Sequence, residues 1–167
     1  NIDGLSSLHT VGGFELYCNS ALSNLDGLSA LQSNSGFFNI VGNGSLSNID
    51  GLSTLRHIGE QLYIIGNDVL ASVNGLASLQ SLGAGLLIKN NPGLTNLDSL
   101  SSLHSGIVSI TVQNNTMLER LCGLSNAASI IADDKWLVTG NSVNPTRRQV
   151  ADAGSCGIPA RIAGRVY

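Results

Sequence analysis

A chain of 167 residues suits a single domain. Its formal charge of −3, with no basic stripe, argues against a nucleic-acid-binding surface, and no apolar run approaches the roughly 20 residues of a membrane-spanning helix. Only 11% of residues are charged, against about 25% in ordinary domains, so the surface is expected to be largely neutral and built from Ser, Asn and Gly.

In chain order, the first residues already sit inside a pattern. Ile2, Leu5 and Leu8 hold apolar positions with no Met, no signal-like run and no polar cap before them. The start reads as a processing or expression boundary, and this end is expected to have lost a cap or to stack on another chain or domain. An Asx-Gly-Leu type tripeptide then opens each unit: Asp3-Gly4-Leu5, Asp26-Gly27-Leu28, Asp50-Gly51-Leu52, Asn74-Gly75-Leu76, Asp98-Ser99-Leu100 and Cys122-Gly123-Leu124. A second marker keeps step with it: Asn19, Asn43, Asn67, Asn91, Asn115 and Asn141. Two markers sharing a period of 24 residues define an internal repeat over residues 1–144.

Within a unit the apolar residues take two spacings. Phe14-x-Leu16, Phe38-x-Ile40, Leu62-x-Ile64, Leu86-x-Ile88, Ile110-x-Val112 and Trp136-x-Val138 alternate, which predicts a short strand with one buried face. Leu5-x-x-Leu8, Leu28-x-x-Leu31, Leu52-x-x-Leu55, Leu76-x-x-Leu79 and Leu100-x-x-Leu103 predict a tighter 3₁₀-like segment. The Asx-Gly between them predicts a turn with Gly at positive φ and the Asx side chain bonded to its own backbone. One 24-residue unit cannot bury its apolar side alone, but stacked units can, with parallel strands about 4.8 Å apart. The marker asparagines then form a buried ladder of side-chain amides. Past the last unit, Asn144-Pro145 predicts a helix start, with Asn as N-cap and a helix over residues 146–153 stopped by Gly154. Residues 145–167 form a C-terminal cap in this reading.

The phrase Leu62-Tyr63-Ile64-Ile65-Gly66-Asn67-Asp68-Val69-Leu70 resembles a leucine-rich repeat. The next leucine falls three residues after the Asn rather than two, at Leu22, Leu46, Leu70, Leu94 and Leu118. That departure, with the run from Leu55 to Ile64, is more similar to the receptor L domains. These are ligand-binding solenoids of receptor ectodomains, with relatives in cell-wall and microbial surface proteins. The resemblance implies a β-rich right-handed solenoid of about six coils (α/β by leucine-rich-repeat convention), an extracellular or cell-surface location, and a binding or structural role. It implies no catalytic residue and no cofactor.

In an oxidising compartment Cys122 and Cys156 are expected to form a disulfide stapling the cap to the last coil. Cys18 falls in a column with Gly42, Gly66, Asn90, Asn114 and Gly140, which predicts a small, buried site and a free thiol. No Cys/His spacing suggests a metal site. His9 and His104 share an edge column with Gln32, Arg56 and Gln80, and His57 stands apart; no nucleophile–base pair assembles from these columns. The row Asp3, Asp26, Asp50 and Asp98 is interrupted by Asn74 and Cys122, so a calcium row is disfavoured against turn chemistry. Asp133-Asp134-Lys135 fills a two-residue insertion and reads as a solvated loop, and Arg147-Arg148 as a solvated face. Of two N-x-Ser/Thr sequons, Asn43 is a ladder position and Asn114 is the better glycosylation candidate.

The outward positions of the strands form two columns: Glu15, Asn39, Tyr63, Leu87, Thr111, Leu137; and Tyr17, Val41, Ile65, Lys89, Gln113, Thr139. Tyr17, Val41, Tyr63, Ile65, Leu87 and Lys89 mark a candidate binding patch. The other face carries small pairs from Ser6-Ser7 to Ser125-Asn126, which allow a tight bend. The expectation is a non-enzymatic recognition or adhesion module for a protein or glycan. A structural subunit that stacks or packs laterally with further copies, and an ice-binding surface, are the alternatives.

Overall fold

A computed structural model describes residues 1–152. The chain forms mostly parallel strands in two sheets, with few helices and no closed barrel. The strands are β1 (Thr10–Val11), β2 (Phe14–Tyr17), β3 (Ser33–Asn34), β4 (Phe38–Val41), β5 (His57–Ile58), β6 (Leu62–Ile65), β7 (Ser81–Leu82), β8 (Gly85–Lys89), β9 (Ser109–Gln113) and β10 (Trp136–Thr139). The helices are α1 (Ser125–Ile130) and α2 (Arg147–Ala151). The larger sheet runs in the order β10-β9-β8-β6-β4-β2, the smaller as β1-β3-β5-β7. This is compatible with a β-rich parallel solenoid.

The register is that of the repeat. Phe14 faces Phe38, which faces Leu62, which faces Leu86, which faces Ile110, which faces Trp136. Each strand is therefore half of an apolar column. Ile40, Ile64, Ile88 and Val112 are fully buried, while Leu16 and Val138 at the two ends are 8% exposed. Phe14 and Phe38 stack with centroids 4.5 Å apart.

The smaller sheet is absent from the sequence reading. Its strands are two residues long with a single inward side chain each, too short for alternation to show. One of those inward residues is Asn34, fully buried. Its amide donates to the Phe37 carbonyl at 2.9 Å and accepts from the Gly36 N–H at 2.8 Å, so the polar group is satisfied.

The Asx-Gly-Leu tripeptides are themselves the 3₁₀ turns, such as Asp26–Leu28 and Asp50–Leu52. Their glycines do not take positive φ, contrary to expectation. A Cβ at Gly27, Gly51, Gly75 or Gly123 would collide with the carbonyl of Ile2, Leu25, Ile49 or Leu97 in the preceding repeat. The glycine is required by close stacking, not by the turn. At the variant position Ser99, the hydroxyl donates to the Val73 carbonyl at 2.9 Å. The side-chain oxygen that holds each turn also differs: Asn24, Asn48 and Asn96 accept from the N–H groups of Asp26, Asp50 and Asp98.

Apart from Gly106, positive φ among the described residues occurs instead in the column before the marker asparagines. Cys18, Asn90 and Asn114 have φ of 56°, 56° and 57°, and Gly42, Gly66 and Gly140 lie at 65–71°. That left-handed residue follows every strand of the larger sheet and turns the chain towards the ladder. The column selects for backbone conformation rather than size, so the expected burial of Cys18 is corrected: it is a free thiol, and exposed.

The ladder is continuous. Asn67 Oδ1 accepts from the N–H of Asn43 at 3.1 Å and from its Nδ2 at 3.2 Å. Asn67 Nδ2 donates to the Ile40 carbonyl at 3.1 Å and to Asn91 Oδ1 at 3.2 Å. Each inner amide thus ties three repeats together. Asn43, Asn67, Asn91 and Asn115 are fully buried, Asn141 is 8% exposed, and Asn19 in the first repeat is exposed.

The C-terminal end departs most from expectation. In the sixth repeat the second leucine is replaced by Ala127, and the turn runs on into α1, which buries Ala127 and Ala128. Asn144 is not the N-cap of α2. Its Oδ1 accepts from the N–H and Nδ2 of Asn141 at 2.9 and 3.1 Å and so closes the ladder. Thr146 takes the N-cap role, with Gln149 completing a capping box. Gly154 and Cys156, with the expected Cys122–Cys156 bridge, lie outside the described residues.

Candidate functional site

Each long strand alternates, so one face of the larger sheet is built from what the core does not use. Pairing brings Tyr17, Val41, Ile65 and Lys89 into one row across adjacent strands, and Asn39, Tyr63, Leu87 and Thr111 into the next. The six patch residues read from the sequence are therefore contiguous. Val41, Tyr63, Ile65, Leu87 and Lys89 are half-buried and Tyr17 is 48% exposed. The charged side chains of the two rows are Glu15 and Lys89.

Two features of this face escape sequence reasoning. Asn39, although outward, is only 6% exposed. Its Nδ2 donates to the Tyr17 hydroxyl at 3.0 Å, so the Tyr17 ring spans the gap between β2 and β4, while Asn39 Oδ1 is buried without a partner. The contact is diagonal, 22 residues apart, and column alignment does not show it. The second feature is a depression of about 290 Å³ at Gly85, where β8 lacks an outward side chain between Gln61 and Ser109.

The remaining expected groups are dispersed. His9 and His104 are exposed, their Nδ1 atoms bonded to the carbonyls of Ser7 and Ser102. His57 does meet a hydroxyl: Nδ1 lies 2.7 Å from Ser81 Oγ, a Ser–His pair the columns did not predict. Among the described residues nothing bonds its other ring nitrogen, and the imidazole is exposed, so the pair lacks the orienting partner of a triad. Among the described residues no three His, Cys, Asp or Glu side chains converge on a metal-sized site. Asp98, from the acidic row, pairs with Arg120 at 2.7 Å. Asn114 is exposed and Asn43 is sealed in the ladder. No helix among the described residues is long and apolar enough to cross a membrane.

The insertion in the last repeat is solvated, as expected, but it is an ordered turn rather than an irregular loop. Asp133–Lys135 forms a 3₁₀ turn, and Asp133 pairs with Arg147 and, at 3.6 Å, with Arg148. Arg147 is only 18% exposed and also donates to the Ala128 carbonyl at 2.8 Å, which corrects the solvated reading of this residue. The hydrogen bond from Arg147 holds the Asp133 carboxyl below the usual carboxylate range; desolvation opposes it, and the charges of both arginines add to it. Trp136 Nε1 donates to the Pro145 carbonyl at 3.0 Å beside this clip.

No family model, curated protein or solved structure matches the chain.

Proposed function

We propose that the protein is a right-handed leucine-rich-repeat solenoid of the receptor L-domain type, acting as a non-enzymatic extracellular recognition or adhesion module. The sheet face is the binding surface. The observation that supports this most directly is the alignment of Tyr17, Val41, Ile65 and Lys89 beside Tyr63 and Leu87 on neighbouring strands. Apolar and aromatic side chains on a face that could be wholly polar are the signature of an interface.

Arrays of extracellular proteins and glycans test the reading. Wild-type protein should bind at least one member, and the double variant Tyr63→Glu, Ile65→Glu should lose about tenfold or more in affinity with an unchanged circular-dichroism spectrum. Both side chains point outward, so the substitutions spare the core. Binding that survives both changes would remove the sheet face from consideration.

A further inference from the structure

We propose that the depression at Gly85 is a subsite for one ring of an extended, uncharged oligosaccharide lying across the strands. The inference rests on the sheet face being the binding surface, and names what that surface takes.

The depression exists because β8 places Leu86 and Ile88 in the core and Gly85, Leu87 and Lys89 outside, with no side chain at the first of the three. The residues that line it include Gln61, Tyr63, Leu87, Ser109 and Thr111. At about 290 Å³ it lies at the lower edge of ligand pockets, which run from about 300 Å³, so it takes one ring-sized unit. None of the lining groups is charged. An anion finds no cation there and a cation no carboxylate. Amide and hydroxyl groups around an aromatic ring and a leucine suit a ligand that is hydroxylated at its rim and apolar on its flat faces.

The size of the face selects between partners. Six strands about 4.8 Å apart and four residues at about 3.3 Å make a platform near 24 by 13 Å, roughly 300 Å². A stable protein–protein interface buries about 800 Å² per partner. An extended peptide is small enough, but its backbone needs N–H and C=O partners, which sheets offer at an edge and not on a face. A glycan chain carries its polarity in hydroxyls that side chains can bond. The row Asn39, Tyr63, Leu87 and Thr111 gives it a track perpendicular to the strands.

Titration calorimetry with neutral hexasaccharides (cello-, xylo-, manno- and laminarihexaose) and with hexagalacturonate tests the inference. At least one neutral hexasaccharide should bind, and more tightly than the charged one. Gly85→Val fills the depression: its Cβ would meet Ser109 Oγ at 2.9 Å and otherwise nothing closer than 3.7 Å. A β-branched residue also suits the strand. It should lower affinity about tenfold or more, as should Gly85→Val with Ser109→Ala, which relieves that one contact. Val69→Ser, away from the face, should bind as wild type. Absence of binding by all four neutral sugars, or wild-type affinity in Gly85→Val, overturns the subsite. If Gly85→Val binds normally while Tyr63→Glu, Ile65→Glu does not, the subsite falls and the binding face stands. If both bind normally, both fall.

Discussion

A single backbone angle explains the column that begins with Cys18. The strand must end and the chain must turn so that the next side-chain amide enters the ladder, and φ of 56–71° does this in every repeat. Gly and Asn adopt that conformation readily, whereas Cys does so at about 1–2 kcal/mol. Cys18 is exposed and its thiol is free, its Sγ lying beside Gly42 of the next repeat. Replacing Cys18 by Gly should therefore raise unfolding stability by about 1 kcal/mol, read from the midpoint of a urea transition at unchanged slope. A destabilised Cys18→Gly variant would show that the thiol is held by something other than this backbone turn. The residue identities of the column, Gly and Asn with one Cys, already contained the answer, but small size and left-handed φ select overlapping residues. Only the angle separates them.

Elements were legible in proportion to how often they recur. The strands of the larger sheet, four or five residues long, and the 3₁₀ turns are stated six times by the sequence, so their register with neighbours follows from alignment alone. The two-residue strands have one inward position each, and at Asn34 that position is polar, so no pattern marks them. The last repeat is stated once. Its second leucine is Ala127, its insertion carries Asp133, and no sister repeat shows that Arg147 returns to pair with it. This clip is an electrostatic device with a definite sign. The folded pKa of Asp133 is depressed, so the stability it adds is present above the unfolded carboxylate value and is lost as pH falls through the folded one. Acidification through and below the carboxylate range should loosen the segment from Asp133 to α2. Trp136, the one tryptophan, bonds Pro145 within that segment and reports the change by fluorescence. Asp133→Asn should flatten the pH dependence of Trp136 emission; an unchanged titration would show that the clip does not govern the segment.

At the scale of the molecule, the ladder makes the repeats interdependent. Stacked repeats touch only their neighbours, and stability is a sum of units and interfaces. An inner amide belongs to two interfaces at once. Removing the Asn67 side chain leaves the Asn43 N–H and the Ile40 carbonyl without this partner, while the Asn43 amide still donates to the Leu16 and Val41 carbonyls. Each buried group left unsatisfied costs about 1–3 kcal/mol, so Asn67→Ala should destabilise by about 3 kcal/mol or more. Asn19 is the contrast. It is exposed, its amide donates to the Tyr17 carbonyl of its own repeat, and its Oδ1 accepts from no other repeat among the described residues. Asn19→Ala should cost under about 1 kcal/mol. Asn144→Ala tests the other end, where one side chain outside the 24-residue period closes the column. Its loss exposes Asn141 rather than an inner pair and should fall between the two. Urea unfolding of the three variants gives the order directly. Equal losses at Asn19 and Asn67 would mean that the amides are satisfied by water when their partners leave, and that the repeats are held by their leucines alone.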